Sequence, residues 1–199
     1  MLDEIEKFCS NANVFIAGST WPADEKIIKE AVISFPELKL IIAPHEIHKQ
    51  HLSKLKELFP NSIIFSELNT QYSVLSTQYC LILDNIGMLS KLFSYATIAY
   101  IGGGFDQGIH NVLEAAVYGR PVLFGPKYKK FKEAMDLINA DAGFSINNKN
   151  ELEKMIGHFL FDNKVYMKSC NSAKNYVLNN CGATDKIVHY IQENRLLTN

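Results

Sequence analysis

Residues 97–119, TIAYIGGGFDQGIHNVLEAAVYG, decide the fold. A short apolar run suited to a strand, Ile98-Ala99-Tyr100-Ile101, meets three glycines, Gly102-Gly103-Gly104, and then a turn at residues 105–108. From His110 the apolar positions (Val112, Leu113, Ala115, Ala116, Val117) fall at helical spacing, and Gly119 supplies a stop. A second apolar run, PVLFGP at residues 121–126, comes next. Strand, glycine loop, helix, strand is the order of a parallel α/β sheet that takes a ligand where a strand hands over to a helix.

Glycine lets a backbone approach a ligand closely, and a helix start offers free N–H groups that suit an anion. Asn111 and Glu114 stand three apart and share a helix face, so the carboxylate can accept hydrogen bonds from vicinal sugar hydroxyls. The dinucleotide fingerprint G-x-G-x-x-G is excluded because Gln107 occupies its third glycine position, and no Gly-Lys-Ser/Thr follows to make a P-loop. A glycine-rich turn of this kind also serves simply to pack a helix on a sheet, and both readings stand on residue type alone.

Outward from this stretch, strands are expected at residues 13–17, 38–43, 62–65, 79–83 and 143–146. Helices are expected from Trp21-Pro22 to about 35, from Pro44-His45-Glu46 to 59, from the turn at 84–87 through 95, and near 128–140, 149–160, 163–179 and 184–193. Residues 69–77 read as a polar loop, and the acidic, amphipathic first eleven residues as the end of a linker helix. The strands are continuous apolar runs, which predicts an α/β fold: a single Rossmann-like domain over 1–199, its parallel sheet covered by helices on both faces.

At 199 residues, 47% hydrophobic and 21% charged, the chain can bury a sizeable core. A formal net charge of −1 gives no global basic field and argues against nucleic acid as a partner. Cys9, Cys80, Cys170 and Cys181 are scattered without a C-x-x-C pair, which fits reduced thiols. No apolar run approaches the roughly 18 residues of a membrane span, so the chain is expected to be soluble.

Ligands in such sheets sit at the carboxyl ends of the strands, so the loops there hold the candidates. Ser19 and Thr20 offer hydroxyl and amide donors to an anion, or cap a helix. Residues 84–87 can present backbone groups to the edge of a base, or form a tight turn. Lys127, Lys129 and Lys130 meet an anion or a solvated face. His45, His48 and His51 recur every third residue, but no carboxylate or cysteine constellation is evident, so no metal is expected and His45 alone is the ligand candidate. Neither a Ser/His/Asp order nor a nucleophile elbow appears, and no catalytic residue is assigned in this chain.

Five segments in order, AGSTWPADE (17–25), IIAPHEI (41–47), LDNIGMLSKLFSYA (83–96), YIGGGFDQGIHNVLEAA (100–116) and GRPVLFGPKYKKFKEA (119–134), resemble the C-terminal domain of Kdo transferases, which add 3-deoxy-D-manno-octulosonic acid to lipid A precursor. The chain departs from the commoner family pattern at Pro44-His45, Gly104 and Gly108-Ile109. The resemblance implies the donor-binding half of an inverting GT-B glycosyltransferase of lipopolysaccharide biosynthesis. Its donor would be CMP-Kdo, and family members need no metal or other cofactor. The lipid A precursor acceptor and the catalytic carboxylate would belong to an N-terminal domain outside this chain. The full-length enzyme would associate with the cytoplasmic side of the bacterial inner membrane. By analogy Ser19, Thr20, Pro44 and His45 would line the donor cleft. Ile86, Gly87 and Met88 would meet the cytosine, Gly103, Gly104 and Asn111 the phosphate or sugar, and Glu114 the ribose hydroxyls. A UDP-sugar transferase or epimerase, or a nucleotide-binding module without chemistry, fits the same glycine loop and carboxylate.

Overall fold

The structure, a computed structural model, describes residues 2–70, 79–194 and 196. Most of the expected loop at 69–77 therefore lies outside the described residues. Among them, seven strands form one wholly parallel sheet: β1 (Val14–Thr20), β2 (Lys39–Pro44), β3 (Ser62–Ile64), β4 (Cys80–Ile82), β5 (Ile98–Ile101), β6 (Val122–Phe124) and β7 (Gly143–Ser145). Their order is β3-β4-β2-β1-β5-β6-β7. The expected α/β class, with its doubly covered sheet, is borne out.

The helices are α1 (Leu2–Cys9), α2 (Pro22–Val32), α3 (Lys49–Leu58), α4 (Leu89–Leu92), α5 (Leu113–Ala116), α6 (Lys132–Asn139), α7 (Lys149–Phe161), α8 (Asn163–Asn180) and α9 (Ala183–Glu193). A parallel strand alternates its side chains between two covered faces, so each apolar run feeds two cores. From β1, Val14 and Ile16 join one core with Ile5 and Phe8 of α1, Leu92 of α4, Ala115 of α5, Leu137 of α6 and Ala173 of α8. Phe15 and Ala17 join the other with Ile28 of α2, Leu55 of α3 and Ile156 of α7. The first helix is thus part of the packed domain rather than a free linker.

Three helices start later than expected: α3, α5 and α6, the last opening at Lys132 rather than near 128. Pro44 does not open a helix: it ends β2, paired with Thr20, and the His45 amide donates to the Thr20 carbonyl at 2.9 Å. The chain stays irregular to His48, whose Nδ1 accepts the His51 amide and caps α3. The helix expected from His110 is a single turn. Asn111 Oδ1 accepts the Leu113 amide at 3.0 Å, which holds residues 111–113 in a side-chain turn, and Gly119 at φ +63 closes the far end.

The strand order reverses direction beside β1. Consecutive elements run outward through β2 on one side and through β5, β6 and β7 on the other. The ends of β1 and β5 mark the topological switch point of the sheet.

Candidate donor site at the switch point

The loops after β1 and β5 lock together through backbone. β1 carries an irregularity between Gly18 and Thr20, and Ser19 there sits at φ +52, a left-handed conformation uncommon for a residue with a side chain. Gly102 passes so close that a Cβ on it would lie 2.3 Å from the Ser19 carbonyl oxygen. Gly103, at φ +91, aims its amide at Asp24 Oδ2, 2.9 Å away. The same oxygen accepts the Trp21 amide at 2.9 Å, and Oδ1 accepts the Tyr100 hydroxyl at 2.7 Å. Asp24 is only 1% exposed. Burial raises its pKa above the ordinary carboxylate range, and the donors from Gly103, Tyr100 and Trp21 pull against that shift. One buried carboxylate therefore ties both loops and β5 to the start of α2.

Glu25 does a similar service next door. It accepts the Thr20 hydroxyl at 3.0 Å and meets His51 Nε2 at 2.9 Å. Burial raises Glu25, and its bonds to His51 and Thr20 oppose the rise. Thr20, whose side chain is wholly buried, is thus bonded inward to Glu25 rather than open to a ligand.

Three aromatic rings bridge the loops after β1, β2 and β5. His45 stacks on Trp21 at 4.8 Å and on His110 at 4.5 Å between centroids. Trp21 Nε1 donates to His110 Nε2 at 3.3 Å. An indole N–H only donates, so the His110 hydrogen resides on Nδ1. Burial, then the neighbouring His45, lowers the His110 pKa, and Asp24 partly opposes this.

The sequence-predicted residues fall into three groups. Ser19, Pro44, His45, Gly103 and Gly104, with the inward-bonded Thr20, gather at the ends of β1, β2 and β5. Gly104 packs on backbone: a Cβ there would lie 2.6 Å from Gly125. Asn111 and Glu114 line a cavity of about 610 Å³ with Ser90 of α4, Lys132 of α6, and Tyr176 and Asn180 of α8. Asn111 also borders a smaller cavity, about 290 Å³, with His110. Ile86, Gly87 and Met88 form the loop before α4, which docks on the end of β1: a Cβ on Gly18 would lie 2.8 Å from both Leu89 and Phe93. The amides of Gly102 and Gly103 are spent on Gly18 and Asp24, and those of Asp106, Gly108 and His110 on the carbonyls of Gly103 and Gly102, so these five do not serve an anion at this loop.

Asp24, Trp21, Tyr100 and His110 escaped the reading as site residues. The signal for Asp24 was present, because positions 24, 28, 31 and 35 follow one helix face and the rest of that face is apolar. Glu25 with Val32, and His51 with Leu55, break their stripes in the same way.

A seven-stranded parallel sheet between two helical layers is the fold of the C-terminal Rossmann-like domain of GT-B glycosyltransferases. It superposes with a TM-score of 0.75 on the crystal structure of the C-terminal CMP-Kdo binding domain of WaaA from Acinetobacter baumannii, at 18% identity over 89% of this chain and 99% of that one. In sequence the chain is 29% identical to the 3-deoxy-D-manno-octulosonic acid transferase of Rickettsia typhi and 30% identical to that of Rickettsia felis, each alignment covering 96% of the chain. The chain is thus similar in sequence to Kdo transferases and shares the fold of the C-terminal CMP-Kdo binding domain of WaaA. It spans 43% and 42% of the length of those two relatives. No family model matches it. Among the described residues no helix is long and apolar enough to cross a membrane.

Proposed function

We propose that this chain is the donor-binding half of a Kdo transferase, holding CMP-Kdo at the switch point where β1 and β5 end. The observation that carries the reading is the convergence there of the Ser19 bulge, the Asp24-anchored glycine loop and the Trp21–His45–His110 stack, with Asn111 and Glu114 in the adjoining cavity. Glu114 takes the ribose hydroxyls. Ile86, Gly87 and Met88 take the cytosine. The phosphate lies along the loop from Gly104 to Asn111, and the sugar faces Ser19 and His45.

The reaction under this reading is an inverting displacement at the anomeric carbon of Kdo, with CMP leaving. Amide donors and dipoles fixed by Asp24 before the substrate arrives offset the charge on the departing phosphate without reorganisation. The lipid A precursor acceptor and the catalytic carboxylate come from the part of the protein beyond this chain. The full enzyme works in lipopolysaccharide biosynthesis at the cytoplasmic side of the inner membrane.

Calorimetry tests the donor assignment. CMP is expected to bind the isolated chain, and UDP to bind more weakly. UDP binding as tight as CMP binding would favour a UDP-sugar transferase or epimerase. Joined to the remainder of its native protein, the chain is expected to support Kdo transfer; alone it is expected to support none.

A further inference from the structure

The segment between β2 and α3 carries chemistry that donor binding does not use. Glu46, His48 and His51 each offer a ligand atom, and the three atoms lie within 4.8 Å of one another. His48 Nε2 stands 3.0 Å from Glu46 Oε2. Behind them, the buried His51 places Nε2 2.9 and 3.0 Å from the two carboxylate oxygens of Glu25, itself 3% exposed.

We propose that Glu46, His48 and His51 bind a divalent transition metal of the zinc type, with Glu25 as the carboxylate that orients His51. Two imidazoles and one carboxylate suit Zn²⁺ and its neighbours; Ca²⁺ and Mg²⁺ prefer all-oxygen sites. Glu25 separates this group from a chance surface cluster. Metal-bound histidines characteristically give their second ring nitrogen to a carboxylate, which fixes the tautomer and raises the basicity of the ligating nitrogen. With Nε2 of His51 held by Glu25, Nδ1 is the nitrogen left to ligate. Glu46 and His48 remain open to solvent, with side chains 47% and 55% exposed, so a cation can enter and keep water as its fourth ligand.

His48 can accommodate the cation at little cost. Its Nδ1 accepts the His51 amide at 3.2 Å, so its hydrogen sits on Nε2, toward Glu46. A cation on Nε2 replaces that hydrogen, which moves to Nδ1, and the cap bond is lost. The His51 amide keeps a second acceptor, the His48 carbonyl at 3.0 Å. Glu46 directly follows His45, so an occupied site would tether the loop that presents His45 to Trp21 and His110. The proposal stands apart from the identity of the donor.

Titration of the whole chain with Co²⁺, followed by visible absorption, tests the site. Expected are saturable d–d bands at about one cation per chain, without near-UV thiolate charge transfer, and their loss on adding Zn²⁺. His48→Ala and Glu46→Gln, both changes to exposed side chains, are each expected to weaken Co²⁺ binding about tenfold or more. Three results would overturn the site: no saturable binding, a thiolate band that moves the cation to an exposed cysteine such as Cys181, or unchanged affinity in both variants.

Discussion

Two loops proposed to hold the same nucleotide are built in opposite ways. After β5, Gly102, Gly103 and Gly104 are buried, and an added Cβ at any of them would meet backbone at 2.3–2.6 Å. After β4, Asn85, Ile86 and Gly87 are exposed, Ile86 by 84%, and a Cβ on Gly87 would meet nothing within 4 Å. Both loops contain a glycine near φ +90. The first is shaped by the protein around Asp24. The second holds an apolar tip in water, where a flat, partly apolar ligand would gain most by covering it.

Stability separates the loops most sharply. Gly103→Ala would set a Cβ 2.3 Å from the Gly108 carbonyl oxygen in a left-handed backbone, and is expected to cost roughly 2–4 kcal/mol in urea unfolding. Gly87→Ala meets the same backbone conformation in open space and is expected to cost about 1–2 kcal/mol. Equal losses would erase the contrast. In CMP calorimetry, Glu114→Ala is expected to weaken binding by about 1–3 kcal/mol, the value of a lost charge-assisted hydrogen bond. Its unfolding free energy should stay within about 0.5 kcal/mol of the parent, because the side chain lines a cavity rather than the core. Ile86→Ala is expected to leave stability equally unmoved and to weaken CMP by about 1 kcal/mol, the apolar contact removed from the base.

The smallest expected effect concerns pH. His110 has a lowered pKa in the fold, so the unfolded chain takes up this proton first as pH falls below about 6.5. Its contribution to stability is complete above that pH and is lost as pH falls toward the folded value. Protonation also costs Nε2 its role as acceptor for Trp21. Fluorescence of Trp21, the single tryptophan, is expected to follow this step and to lose it in His110→Phe. Asp24 and Glu25, whose pKa values burial raises, act in the opposite sense, since the folded chain binds their protons more readily than the unfolded one.

Much of this was legible before any coordinates. Short apolar runs such as LKLIIA at 38–43, alternating along the chain with helical patterns, read as strands covered on both faces, and they delivered the sheet. The triple glycine was one of several candidate loops in the sequence, and the structure gives its reason: a Cβ at Gly102 or Gly104 would collide with the backbone of Ser19 or Gly125. Local rules failed where a side chain intervened. Asn111 shortened a helix that periodicity would have begun at His110, and pairing with Thr20 kept Pro44 in a strand. The anchoring role of Asp24 depends on Tyr100 and Gly103, more than seventy residues away, and no local pattern encodes that meeting. Glu46 beside His48 and His51 went unread for a related reason, since a loop rather than a helical repeat brings the carboxylate to the imidazoles.

The most direct measurement is a crystal structure of the chain with CMP. The nucleotide is expected at the switch point, its phosphate along residues 104–111, its ribose on Glu114 and its cytosine on residues 84–88. Density for CMP in another cavity, or none at saturating concentration, would contradict that placement.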